Sequence, residues 1–249
     1  MMVALRIWAW VGAAALAASV AVSPAHAALM TYGFTNVTNN SAADVATGIA
    51  QMTVGVSDVG VASNQVKFIF SNSGPNASSI TDVYFDDGTL LSVAYVIDGE
   101  DDVAYAGTKY AEGASPGELP GGSTINWNDE GGHHFSADSD PPAQPNGANP
   151  GESFAVVFDL LGGKTYADVI AAIALSLQPA NIGTDVEGGL RIGIHVQGFA
   201  GDGSESFVNT TPPVLAPVVP EPGSMAMWGL GLALCGTVGY FRRLQKFAA

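Results

Sequence analysis

Gln65-Val-Lys-Phe-Ile-Phe70 sets Val66, Phe68 and Phe70 at every second position, and Leu190-Arg-Ile-Gly-Ile-His-Val-Gln197 does the same with Ile192, Ile194 and Val196. A period of two puts alternate side chains on opposite faces, so each stretch predicts a strand with Arg191 and His195 turned outward. Further strands are expected over Thr31 to Val37, Ile49 to Ser57, Ile80 to Phe85, Leu90 to Ile97 and Ser153 to Leu161, each bounded by Gly, Asn, Asp or Pro. Ser73-Gly-Pro-Asn76 and Asp86-Asp-Gly88 have the composition of turns. One helix is expected, from Thr165 to about Leu177. Thr165 and Asp168 form a capping-box-like start, and Val169, Ile170, Ile173 and Leu177 make its apolar stripe. The sum is an all-β fold: a single antiparallel two-sheet sandwich, jelly-roll or Ig-like in outline, with the helix over one open end.

Working outward, the sandwich is expected to occupy residues 28–209. Between Ala111 and Gly151 prolines at 116, 120, 141, 142, 145 and 150 alternate with paired glycines, which predicts one long irregular loop at 111–151. Trp127, His133, His134 and Phe135 lie in it beside Asp129, Glu130, Asp138 and Asp140. Such rings either pack the loop onto the sandwich or present a binding surface. Residues 210–219 are rich in Pro and Thr, as an extended linker requires.

Charge is lopsided. Of eight basic residues, Arg6 precedes this domain and three lie in the last eight positions, leaving Lys67, Lys109, Lys164 and Arg191 to face all 23 acids. Such a surface repels phosphate backbones, so no nucleic-acid partner is expected. The single cysteine, Cys235, falls in the apolar tail. The central domain therefore has no thiol for a disulfide, a nucleophile or a zinc site.

The two ends read as export signals. Arg6, the apolar run Ile7 to Val22, and Ala25-His-Ala27 followed by Ala28 form a signal peptide, residues 1–27, with Ala25 and Ala27 as the small residues of the cleavage site. At the other end Pro220-Glu-Pro222 precedes an uncharged segment over 225–241, and Arg242, Arg243 and Lys246 follow. The 17 residues from Met225 to Phe241 would make a transmembrane helix of roughly 26 Å, close to the ~30 Å hydrocarbon core. Pro220 and Pro222 cannot continue that helix, Trp228 and Tyr240 suit the headgroup regions, and the basic cluster marks the cytoplasmic side.

Pro220, Glu221 and Pro222, the short Gly/Leu/Ala-rich span and Arg242-Arg243 together resemble the PEP-CTERM sorting signal of Gram-negative and related bacteria. The resemblance covers residues 220–249 only. It implies an inner-membrane-anchored precursor, an exosortase that recognises and removes the tail, and delivery to the envelope or the exterior, with exopolysaccharide as a possible partner. It implies nothing about the fold or activity of the central domain.

Chemistry in that domain is sparse. His133 and His134 with Asp138 and Asp140 are a conceivable metal set, although neighbouring strand residues point to opposite faces. Asp98-Gly-Glu-Asp-Asp102, and Asp82 with Asp86 and Asp87, have the oxygen density that calcium favours but not the spacing of an EF-hand loop. Gly201-Asp-Gly-Ser-Glu205 lacks the Gly-x-Ser-x-Gly of a nucleophile elbow. No catalytic residue, cofactor-binding residue or defined metal ligand is assigned, and calcium is the one ion left open. Asn36, Asn39, Asn76 and Asn209 open Asn-x-Ser/Thr triplets, which in a bacterial setting read as ordinary turn and strand residues. Threonines are scattered rather than ranked, which disfavours an ice-binding face. The expectation is a non-catalytic envelope or matrix protein. A calcium- or carbohydrate-binding module and a secreted hydrolase are the alternatives.

Overall fold

The computed structural model describes residues 29–86, 90–97, 110–127, 134–179, 181, 184, 186–210 and 214–215. The signal-peptide residues Ala25 and Ala27, with Ala28, lie outside them, as do Pro220, Glu221, Pro222, the 225–241 segment, Arg242 and Arg243. Among the described residues no helix is long and apolar enough to cross a membrane.

Twelve strands are described: β1 Met30–Tyr32, β2 Phe34–Asn36, β3 Met52–Ser57, β4 Gln65–Asn72, β5 Ser79–Asp86, β6 Leu91–Ile97, β7 Tyr110–Glu112, β8 His134–Ser139, β9 Ser153–Leu160, β10 Arg191–Gln197, β11 Glu205–Asn209 and β12 Val214–Leu215. They form two six-stranded sheets, ordered β12-β1-β3-β4-β9-β6 and β2-β11-β10-β5-β8-β7. Every strand pairing is antiparallel. The sheets meet through aromatic rings. Phe68 of β4 lies 4.9 Å from Phe85 of β5, Phe158 of β9 lies 4.7 Å from Phe85, and Phe135 of β8 lies 5.0 Å from Phe158. Edge-on contacts of this kind add about 0.5–1.5 kcal/mol each beyond the area they bury. The chain is thus mostly β, with two antiparallel sheets packed as a sandwich.

The alternation in β4 is realised as the sequence requires, with Val66, Phe68 and Phe70 wholly buried. The predicted helix is α3, Tyr166–Ser176, following α1 (Ala42–Gln51) and the short α2 (Ala143–Asn146). Thr165 caps it in a full capping box with Asp168. Val169 and Ile173 enter the core, and Ile170 and Leu177 pack against it. The helix bridges the sheets, since Tyr166 Oη donates to the Val56 carbonyl of β3 and the Leu190 amide, just before β10, donates to the Ala172 carbonyl.

Four expectations need correction. Residues 111–151 are not one irregular loop: β8 pairs with β7 and, along five residues, with β5, and a 3-10 turn, Gly122–Ile125, and α2 interrupt the irregular stretches described there. The strand expected over Thr31 to Val37 is divided, β1 lying in the first sheet and β2 in the second. Ile49 does not start a strand but belongs to α1, whose first turn is capped by Ser41 and whose Ile49 side chain is exposed. Part of the 210–219 linker, β12, pairs with β1, placing Leu215 opposite Met30.

Candidate functional site

The outward face of β10 was expected to be solvated. It is covered. Arg191 is 5% exposed and His195 8%, because residues 113–127 cross the outside of the second sheet. The crossing segment is tied down at each end. The Gly113 amide donates to the Ser136 carbonyl at 2.8 Å, the Ala114 amide to Ser136 Oγ at 3.0 Å, and Tyr84 Oη to the Pro116 carbonyl at 2.9 Å. Leu119 and Trp127 then pack on Tyr84 as a small second core. Gly193 lies directly beneath. A Cβ there would come within 3.1 Å of Leu119 and 3.2 Å of Trp127, so only hydrogen fits without displacement.

Arg191 fastens the far end. Its guanidinium forms a salt bridge with Asp86, Nε reaching Oδ2 at 2.8 Å, and donates to the Ile125 carbonyl at 2.6 Å and the Asn126 carbonyl at 2.9 Å. The Trp127 ring stands 5.0 Å from its Cζ, within cation–π range. Asp86 is therefore already partnered. Asp82 and Asp86 lie four residues apart on β5, roughly 13 Å along a strand. That separation removes them as joint calcium ligands. His134 and Asp138 are likewise four residues apart on β8 and cannot share one ion. Among the described residues no three His, Cys, Asp or Glu side chains group closely enough to hold a metal. Asp87, Asp98 to Asp102, Asp129, Glu130 and His133 lie outside the described residues.

What the register does bring together is a polar row across four strands. Ser206 of β11 pairs with His195 of β10, His195 with Asp82 of β5, and Asp82 with Asp138 of β8. The β10–β5 register shifts next to Asp82, and Thr81 there donates its hydroxyl to Asp82 Oδ2 at 2.7 Å. Asp82 is 1% exposed, and its Oδ1 has no hydrogen-bond partner. Burial pushes its carboxyl up to about 7, against the Thr81 hydroxyl, with Asp138 adding to the rise. Burial raises Asp138 as well.

Serine, histidine and aspartate in one row invite comparison with a hydrolytic triad. His195 Nδ1 lies 3.1 Å from Ser206 Oγ. Ser206 is wholly buried, however, so a substrate carbonyl has no path to Oγ. Burial also lowers the His195 imidazole below its ordinary range, partly offset by Glu205, which keeps it neutral inside the sheet. Glu205 has a task of its own: its carboxylate accepts from Asn36 Nδ2 at 2.9 Å, Thr38 Oγ1 at 2.5 Å and the Ser41 amide at 2.6 Å. Burial pushes it upward, but these bonds outweigh that and hold it below the usual carboxylate range.

Trp127 and Phe135 pack rather than project. Trp127 joins the second core and Phe135 faces Phe85 and Phe158. Two hollows remain. One, near 430 Å³, is a groove lined by residues including Gln144, Pro145, Asn149 and Gly198, and it offers neither an aromatic ring nor a charge. The other, near 80 Å³, lies where β10 and β11 meet the end of α3 and the 3-10 turn, and Asn209, Arg191 and Asn36 help to line it. The local sequence marks Asn209 as an ordinary strand or turn residue and Asp82 as one of several acids, since each acquires its setting from strands far away in the chain. Comparison with protein-family models, curated proteins and solved structures finds no match to this chain.

Proposed function

We infer that this chain is a non-catalytic exported protein of the cell envelope or extracellular matrix, delivered through its C-terminal tail. In this reading the leader is removed after Ala27, the 225–241 segment anchors a precursor in the inner membrane, and an exosortase then severs the tail near Pro220-Glu-Pro222. The central domain, a sandwich of jelly-roll or Ig-like outline, is left outside, in association with exopolysaccharide. The observation that carries this is the ordered tripartite tail, ending in Arg242-Arg243, in a chain that also begins with Ala25-His-Ala27 after an apolar run. The buried Ser206 and Asp82 support a non-catalytic role, because neither presents its side chain to a substrate.

Mass spectrometry of both ends, on protein from separated cell fractions, tests the reading. Mature molecules should begin at Ala28 and end close to Pro222. Recovery of Phe247-Ala-Ala249 on most exported molecules would defeat it, as would persistence of Met1. A carbohydrate-binding role is the second reading, favoured by the lined cavity beside Asn209.

A further inference from the structure

We propose that residues 113–127 are a pH-released strap: they lie closed over the outer face of the second sheet while the Asp82 carboxyl beneath them is protonated, and residues 113–116 lift away once it ionises. Asp82 is 1% exposed although its neighbour Val83 enters the core and the pleat therefore turns Asp82 outward. The Ser115 backbone lies against both Asp82 and Asp138. Ser115, Pro116, Gly117 and Glu118 are themselves exposed, so this end of the strap is a single layer with solvent on its far side. It is held by the Gly113 and Ala114 amides on Ser136 and by the Tyr84 hydroxyl on the Pro116 carbonyl. Gly113, at φ 92°, turns the chain from β7 onto the strap, and nothing lies within 4 Å on its Cβ side to oppose movement. The other end is built differently. Leu119 and Trp127 are buried with Tyr84, and Arg191 grips the Ile125 and Asn126 carbonyls, which have no proton to lose. Lifting is thereby confined to the stretch before Leu119.

Water reaches Asp82 only when that stretch moves, which couples its proton to the strap. Burial carries the closed-state carboxyl up to about 7 and the Asp138 charge adds to the rise, against the Thr81 hydroxyl and the Ser115 backbone. Once solvated, it returns toward about 3.9. The closed state therefore binds the extra proton between those values. Opening rises as pH climbs through that window, by at most about tenfold per pH unit, and levels off above it. The groups facing Asp82 are Thr81 and Tyr84 on its own strand, Asp138 on β8 with Asp140 beyond it, His195 on β10 and the Ser115 backbone of the strap. Burial holds His195 toward its neutral form, with Glu205 of β11 opposing, so no cation stands ready to stabilise an ionised Asp82. His195 itself titrates with the opposite sign.

The test is amide hydrogen exchange on the full-length chain in detergent micelles at pH 5 and pH 8, each rate divided by the intrinsic rate at that pH to give an opening constant. For the Gly113 and Ala114 amides, the ratio of opening at pH 8 to opening at pH 5 should be at least about tenfold larger in the parent than in Asp82→Asn. His195 is present in both chains and cancels from the comparison. Amides of β4 should show no such difference. Tyr84→Phe cuts the Pro116 anchor and leaves the carboxyl in place, so opening should rise severalfold at both pH values with the parent's ratio kept. The same ratio in parent and Asp82→Asn would overturn the inference. So would an equal pH response in β4, which would make the event one of the whole domain, or a ratio that vanishes in Tyr84→Phe.

Discussion

Asp82, buried, and Asp138, half-buried, meet across β5 and β8, and burial raises both carboxyls, with the Asp138 charge adding to the rise of Asp82. The linkage has a definite sign. Asp82 titrates near 7 when folded and near 3.9 when unfolded, so the native state binds more protons between those values and loses stability as pH rises through them. His195 acts oppositely: its folded value is lowered, so its contribution is present above its unfolded value and is lost on acidification. Thr81, Tyr84, Asp140 and the backbones of Ser115 and Ser139 also lie near the pair, and none supplies a positive charge. Asp82→Asn keeps a donor toward Asp138 without the titration. It should raise Tm by about 5 °C at pH 8, from roughly 2 kcal/mol of relieved burial cost and repulsion, and by less at pH 5. Equal Tm values for variant and parent at both pH values would contradict a raised Asp82 carboxyl.

At the scale of elements, α1 is held to the second sheet by an absence of side chain. A Cβ on Gly48 would stand 2.1 Å from Cζ of Phe207, a ring wholly buried in β11. Alanine in place of glycine normally improves a helix by about 1 kcal/mol. Here Gly48→Ala should instead lower the urea-unfolding free energy by about 3 kcal/mol through overpacking, and a stabilised variant would show that α1 does not seat on that ring. This contact also explains what could be read in advance. β4, β10 and α3 were legible because the buried residues repeat with the period of their own backbone. Residues 42–51 were not, since their key contact is a glycine and their largest apolar side chain, Ile49, faces water. β8 was hidden by flanking Gly and Pro, with only Phe135 and Ala137 turned to the core. Asp82 and Asp138 were visible only as two of many acids, because their pairing spans 56 residues and is set by strand register.

For the whole molecule, the decisive arrangement is that the first and last described strands, β1 and β12, are neighbours on one sheet edge. Strand β12 contributes only two residues, yet it covers the outer side of β1, which would otherwise offer unpaired backbone groups. A chain lacking residues 211–249 should retain the slow amide exchange of β4 and β9 while Met30 and Thr31 exchange at least tenfold faster. Unchanged protection of β1 in that chain would mean that β12 contributes nothing to its order. The phenylalanine core lies between the inner strands of both sheets and does not depend on this edge.

The rung between Met30 and Leu215 has a mechanical consequence as well. Traction applied anywhere beyond Leu215 reaches the folded body through that short ladder and is taken up one rung at a time, as in unzipping. Strand β12 therefore acts as a fuse: it parts under modest force and lengthens the leash, and the interlocked aromatic interior is spared the load.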